Sequence, residues 1–368
     1  MKAYHICYHT DEDGLASAAV IYEYLKRISK KFNEKVRYFF YKIDYTMDLK
    51  TVLPDIPAGD ELYFVDYSFS NKDNLDYVLD LSTKGIEVIW IDHHKSSCEI
   101  LSDIDLDKYI NLHHFIDTNY CGAYLCYAYA YFKLNSYSAD KITNYSNYPK
   151  YIPLYIRYVD SWDTWKHDMP DTTEFNIGVR SEKRTPKSVF STMFKCDVKV
   201  INKLFSDNKE DIKLIESYMN VYIKNAISKG KIIKSYQDIE NESFCNSYGF
   251  EFDIIDKTNS DEKIYHCFAV NKRGNSTMFG DKFSTYDIVV PYQFNGTQYV
   301  YSLYTSKEDV NCEELAKKFG CIDGLGGGGH VKAAGFQTLN QIIKANCKVY
   351  ISNKLFSKDK YKLRISDK

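Results

Sequence analysis

Apolar residues in the first hundred positions follow two rhythms. Short continuous runs stand at residues 3 to 9 (AYHICYH), 36 to 42 (VRYFFYK), 61 to 68 (ELYFVDYS) and 87 to 94 (EVIWIDHH). Between the first two, Leu15, Ala18, Ala19, Tyr22, Leu25 and Ile28 recur at three- and four-residue intervals. That spacing predicts a helix over 14–30. A second helix is expected over 71–84, with Ser70 or Asn71 as its cap. Strands that read as unbroken apolar runs and alternate with helices predict an α/β fold built on a parallel sheet covered on both faces.

The rhythm changes twice further on. Residues 120 to 165 turn helical (CGAYLCYAYAYF, then YIPLYIRYVDSWDTW), and 198 to 235 read as a polar, Pro-free helix or helix pair. From about 243, strand-like segments return: YGFEFDII, KIYHCFAVN, YDIVVPYQF and QYVYSLYT. A short helix at 311–319 and the run GLGGGGHVKAAGF follow. The expected layout is a first domain over 1–190, a helical connector over 191–240, a smaller C-terminal α/β domain over 241–350 and a basic tail over 351–368. The active-site cleft is expected between the two domains.

Composition narrows the function. The 368 residues carry 48 basic and 50 acidic side chains, a formal charge of -2. Without a basic excess, long duplex nucleic acid is disfavoured as a partner, while a small anionic substrate remains open. No apolar run approaches the roughly 20 residues of a membrane span. The start, MKAYHICYHT, shows no secretory pattern, so a cytoplasmic protein is expected. None of the ten cysteines is spaced C-x-x-C, so reduced, buried thiols are expected rather than a zinc ribbon. The 34 tyrosines read as half-buried filler.

Three apolar runs end in metal-type ligands. The first gives His9, Asp11 and Asp13, the second Asp66, and the third Asp92, His93 and His94. Each cluster alone has an ordinary explanation; HTDEDG, for instance, suits a helix N-terminus. In an open parallel sheet, however, the carboxyl ends of the strands lie side by side at one crevice. Carboxylates crowded there do not stay ionised without cations. Carboxylate with imidazole suits manganese, iron or zinc better than calcium. The donors are too many for one ion, so two ions sharing a carboxylate are expected. His113 and His114 follow no clear buried strand and are read as structural.

Together these segments resemble the DHH phosphoesterases, whose name-giving triplet would be Asp92-His93-His94. HTDEDGLASA is similar to the family's first motif, in a compact form, and VDYS (Val65 to Ser68) to its second. IRYVDSWDTW offers Asp160 for the fourth, with Asp163 as the lesser choice. Gly326 to Phe336 resembles the glycine-rich signature of the family's associated substrate-binding domain. The resemblance implies one ion on His9, Asp11 and Asp66 and another on Asp13, Asp66, His93 and Asp160, with Asp92 behind them orienting an imidazole. It implies manganese, with magnesium or cobalt as substitutes. The expected reaction is two-metal hydrolysis of a phosphoester, the ions about 3.5–4 Å apart. Asp66 would bridge them, and His94 would donate to a phosphate oxygen or leaving group.

Gly327, Gly328 and Gly329 would form a phosphate cradle opening onto a small-residue helix, with His330 as a clamp. Arg273 would touch a phosphate or base, though an exposed turn explains it equally well. The expected substrates are short oligonucleotides, linear dinucleotides or small nucleotides, as for an oligoribonuclease-type phosphodiesterase. An inorganic polyphosphate or pyrophosphate hydrolase is the alternative. A non-catalytic nucleotide sensor is a third, and a homodimer is compatible with the sequence. A dinucleotide-binding dehydrogenase fails, because acids stand where its glycines would be needed.

Overall fold

The four apolar runs become parallel strands; the first, third and fourth bury both faces, while the second, at the sheet edge, is partly exposed. In the computed structural model these are β1 (Ala3–His9), β2 (Arg37–Ile43), β3 (Glu61–Val65) and β4 (Glu87–Asp92). The structure describes residues 1–69, 71–135, 148–193, 204–205, 208–258, 262–352 and 365–366. The chain divides into two units, Met1–Ile233 and Lys234–Lys368.

In the first unit the sheet order is β2-β1-β3-β4-β5 and every pairing is parallel. Alternation sends Tyr4, Ile6, Tyr63, Val65, Ile89 and Ile91 to one face and Cys7, Leu62, Phe64, Val88 and Trp90 to the other. The first face is covered by α1 (Glu12–Lys31), α5 (Gly122–Leu134) and α6 (Leu154–Asp163). The second is covered by α2 (Leu49–Val52) and α3 (Lys72–Thr83), with α4 (Lys95–Ser102) beside them. Helices α7 (Thr172–Arg180) and α8 (Pro186–Met193) complete the described part of this layer. Asp11 caps α1 by accepting the Gly14 N–H, and Asn71 caps α3; Ser70 lies outside the described residues.

Two readings of the first unit need correction. The third strand ends at Val65 rather than 68, because Asp66 takes a left-handed conformation with φ of 55°. His113 and His114 lie within a fifth strand, β5 (Leu112–Ile116), which pairs with β4. As an edge strand it carries polar residues that hide the pattern, and His113 Nε2 meets Glu87 Oε2 at 2.8 Å.

Register brings the strand ends level. Val65 lies opposite both Tyr8 and Ile91, so His9, Asp66 and Asp92 follow side by side at the carboxyl edge. The turn after Asp66 is pinned by fully buried Trp90, whose Nε1 donates to the Tyr67 carbonyl at 2.8 Å.

The polar region read as a helix or helix pair is one helix where it is described, α9 (Lys209–Tyr248), and the division between the units falls within it. Residues 198–203 and 206–207 of that reading lie outside the described residues, as does most of the basic tail. The second unit holds a mixed sheet with order β10-β11-β9-β8-β7-β6-β12-β13. Its strands are β6 (Phe250–Lys257), β7 (Lys263–Val270), β8 (Ile288–Phe294), β9 (Tyr299–Tyr304), β10 (Gly327–His330), β11 (Ala333–Thr338), β12 (Lys348–Ser352) and β13 (Ile365–Ser366). Leu315, Ala316 and Phe319 of α11 (Cys312–Gly320) join its core; α10 (Lys282–Thr285) is a single short turn.

The glycine-rich run forms a β10–β11 hairpin, not a loop opening onto a helix. Close packing accounts for much of its composition. A Cβ on Gly327 would lie 2.1 Å from the Ala316 carbonyl oxygen, and one on Gly329 would lie 2.7 Å from that of Ala333. At Gly328 a Cβ would meet open space.

Candidate metal centre

The carboxyl edge of the sheet gathers the predicted donors. His9 is the last residue of β1, Asp11 and Asp13 flank the start of α1, Asp66 follows β3, and His93 and His94 follow β4. Three trios each bring one donor atom per residue to within 4.8 Å of the others: His9, Asp11 and Asp66; Asp13, His93 and Asp163; Asp66, His93 and His94. Asp66 belongs to two of the trios, and so does His93. Asp66 Oδ1 lies 3.2 Å from His93 Nε2 and Asp66 Oδ2 lies 3.9 Å from His9 Nδ1. No Cys belongs to these groups.

Asp163, the lesser choice of the sequence reading, lies in one of these trios, and Asp160 lies in none of them. Asp163 Oδ2 is 3.2 Å from His93 Nε2. Asp160 is otherwise engaged: Oδ1 accepts the Cys121 N–H at 2.8 Å and Oδ2 accepts Lys166 Nζ at 2.7 Å. Both acids sit on α6 three residues apart, so their face alone does not separate them.

Asp92 stands behind the donors. Its Oδ1 accepts from His94 Nδ1 at 2.8 Å, while Oδ2 accepts from the Ser97 hydroxyl. The other His94 nitrogen, Nε2, lies 3.2 Å from the Tyr45 hydroxyl. Burial opposes charge on His94, but the bond to Asp92 overcomes it and raises its pKa to about 9.

Sequence reasoning missed the N-terminus of α5. Asp13 accepts the Gly122 N–H at 2.6 Å and the Ala123 N–H at 2.7 Å, so the helix dipole faces this carboxylate. Gly122 is required by proximity, since a Cβ there would lie 2.7 Å from Asp66 Cβ. The small residues of CGAYL were the available signal. Also missed was a buried network at Glu12, between two donors: its carboxylate accepts from Arg184 and from the Tyr155 hydroxyl. Arg184 in turn donates to Tyr155 at 2.7 Å. This fixes the first turn of α1 against α6.

The electrostatics call for cations. Burial, then the Asp11 charge, raises Asp13 to about 7. Burial and the Asp13 charge raise Asp163 to about 7. Asp66 is pushed well above the usual carboxylate range by burial and by Asp13 and Asp11. Asp11 escapes, held at about 2 despite burial by its bond to His9. Asp66 Oδ2 is buried with no hydrogen-bond partner, a costly state that a cation relieves. The donor set therefore fits divalent metal.

A pH dependence follows. Asp13 and Asp163, raised above their ordinary values, contribute stability that is full below about pH 4 and lost as pH rises through 7. The lowered pKa of His93 opposes this near its ordinary value, while the raised His94 adds to it. Metal-stripped protein should melt on the order of 5 °C higher at pH 6 than at pH 8. Manganese should reverse the order, because binding must expel those protons. Thermal melts with EDTA and with manganese at both pH values check this.

The remaining predicted residues lie in the second unit. Gly327, Gly328, Gly329 and His330 form β10, with His330 exposed, and Arg273 is exposed in the turn after β7. No helix among the described residues is long and apolar enough to cross a membrane.

Residues 4–151 match the DHH family, N-terminal domain. No curated relative matches the chain. Among solved structures, an uncharacterized protein from Helicobacter pylori G27 is 17% identical, with TM-score 0.33, covering 92% of this chain and 93% of that one. PggH from Vibrio cholerae, a pGpG-specific phosphodiesterase, is 12% identical, with TM-score 0.40 and coverage of 91% and 93%. RecJ in complex with Mn2+ from Thermus thermophilus is 12% identical, with TM-score 0.44; 91% of this chain covers 49% of RecJ. The matching segment, 4–151, holds every gathered donor except Asp163.

Proposed function

We propose that the chain is a divalent-metal-dependent phosphoesterase acting on short oligonucleotides, linear dinucleotides or small nucleotides. The observation that carries this reading is the buried Asp66 carboxylate, shared by two donor trios and with its Oδ2 lacking a hydrogen-bond partner. His9, Asp11 and Asp66 would hold one cation, and Asp13, Asp66, His93 and Asp163 the other, with His94 within reach. Manganese suits these oxygen and imidazole donors and is the proposed metal. When bound, the ions supply Lewis-acid polarisation of the phosphoryl group and acidify water.

The chain's own residues complete the chemistry. Asp92 keeps a proton on His94 Nδ1 and fixes the ring. In the metal-free site Asp92 raises the His94 pKa against burial, and His94 would donate to a phosphoryl or leaving-group oxygen. The α5 N-terminus holds Asp13 in place through two N–H groups. In the second unit, His330 and the open side of Gly328 are proposed substrate contacts, along with Gly327, Gly329 and Arg273.

The test is a substrate panel with manganese-loaded protein. Release of mononucleotide from a labelled dinucleotide at least ~10-fold faster than phosphate from polyphosphate is expected. The opposite order would make the protein an inorganic polyphosphatase. Binding of nucleotide without turnover of any substrate would make it a sensor.

A further inference from the structure

Beside the metal donors lies a cavity of about 160 Å³, whose lining includes Asp11, Glu12, Asp13 and Asp163. Tyr158, Trp162 and Phe175 supply aromatic walls, and Asn176 and Arg180 supply polar groups. Asn176 lines the cavity and is 4% exposed; its carboxamide makes no hydrogen bond among the described residues, and its polar atoms are not sealed from solvent. Arg180, exposed at the end of α7, makes no ion pair among the described residues.

The Trp162 wall is held from behind. Trp165 stacks on it at 5.9 Å and 27°, and His167 meets it edge-on at 5.5 Å. Trp165 and His167 both take left-handed backbone conformations, with φ of 57° and 47°. Such conformations are unfavourable away from glycine and persist where the surroundings impose them.

The Asn176 carboxamide offers a ligand in the cavity both donors and an acceptor. A phosphate chain brings acceptors only and gains nothing from aromatic walls. A nucleobase edge brings donor and acceptor together, and its ring stacks on tryptophan. The volume matches one ring, since about 150 Å³ accommodates benzene. We propose that this cavity is a nucleobase subsite of the first unit: it takes a pyrimidine ring against Trp162, Asn176 reads the ring's edge, and Arg180 binds an adjoining phosphate. The inference rests on the nucleotide reading above and adds to it where the base goes.

The experiment is calorimetric binding of UMP and of ribose 5-phosphate to the full chain with manganese. The two probes share a phosphate and differ by the base. UMP should bind about tenfold or more tighter. Asn176→Ala should erase that difference while leaving ribose 5-phosphate binding unchanged. Quenching of tryptophan fluorescence by UMP should be lost in Trp162→Phe, which keeps an aromatic ring at this half-buried position. Equal binding of the two probes by the wild-type chain, or an undiminished UMP preference in folded Asn176→Ala, overturns the subsite. Turnover of a labelled dinucleotide is read separately and decides the hydrolase reading alone.

Discussion

Asp66→Asn should lower metal-dependent hydrolysis by at least ~10³-fold while leaving the protein folded. The substitution is clean for two reasons. Asparagine is among the few residues that tolerate the left-handed backbone found at this position, so the turn after β3 survives. Asparagine also keeps the volume and one acceptor oxygen, but removes the negative charge that two cations would share. Burial and the neighbouring acids already disfavour charge on Asp66 in the metal-free site, so a neutral asparagine should hold metal-free stability or raise it. Circular dichroism and a thermal melt, beside kcat with manganese, measure both halves. A folded variant with full activity would remove Asp66 from its bridging role.

The second large effect separates two acids three residues apart. Asp163→Asn should weaken manganese binding by about 10–100-fold and lower kcat/KM at least as much. Asp160→Asn should leave manganese binding within about threefold. In Asp160→Asn the carboxamide oxygen still accepts the Cys121 N–H, and the loss is confined to the pairing with Lys166. In Asp163→Asn a charge beside His93 and Asp13 disappears. The reverse ranking would restore Asp160 as the ligand.

These two acids show where the sequence stopped being informative. The strand-end donors were legible because parallel strands have a fixed polarity: an apolar run ending in Asp or His delivers that side chain to one edge. Nothing comparable governs α6. Both its acids lie on the same face, and only the docking of α5 decides that Asp160 caps it while Asp163 turns to His93. The part of Gly122 was hidden for the same reason, since its need for a missing Cβ comes from Asp66, distant in sequence. The glycine run misled in another way. Consecutive glycines suggest an anion-binding loop, yet here the close approach of β10 to α11 demands small residues on its own account. In β5, polar residues on an edge strand concealed an element whose only strand neighbour among the described residues is β4.

Isothermal titration of manganese into EDTA-stripped protein at pH 7.5, in buffers of different ionisation enthalpy, bears most directly on the metal centre. Two equivalents per chain with net proton release are expected for the wild type, and a reduced stoichiometry for Asp66→Asn. No uptake of manganese by the wild type, or identical titrations of the two proteins, would contradict a centre organised around that carboxylate.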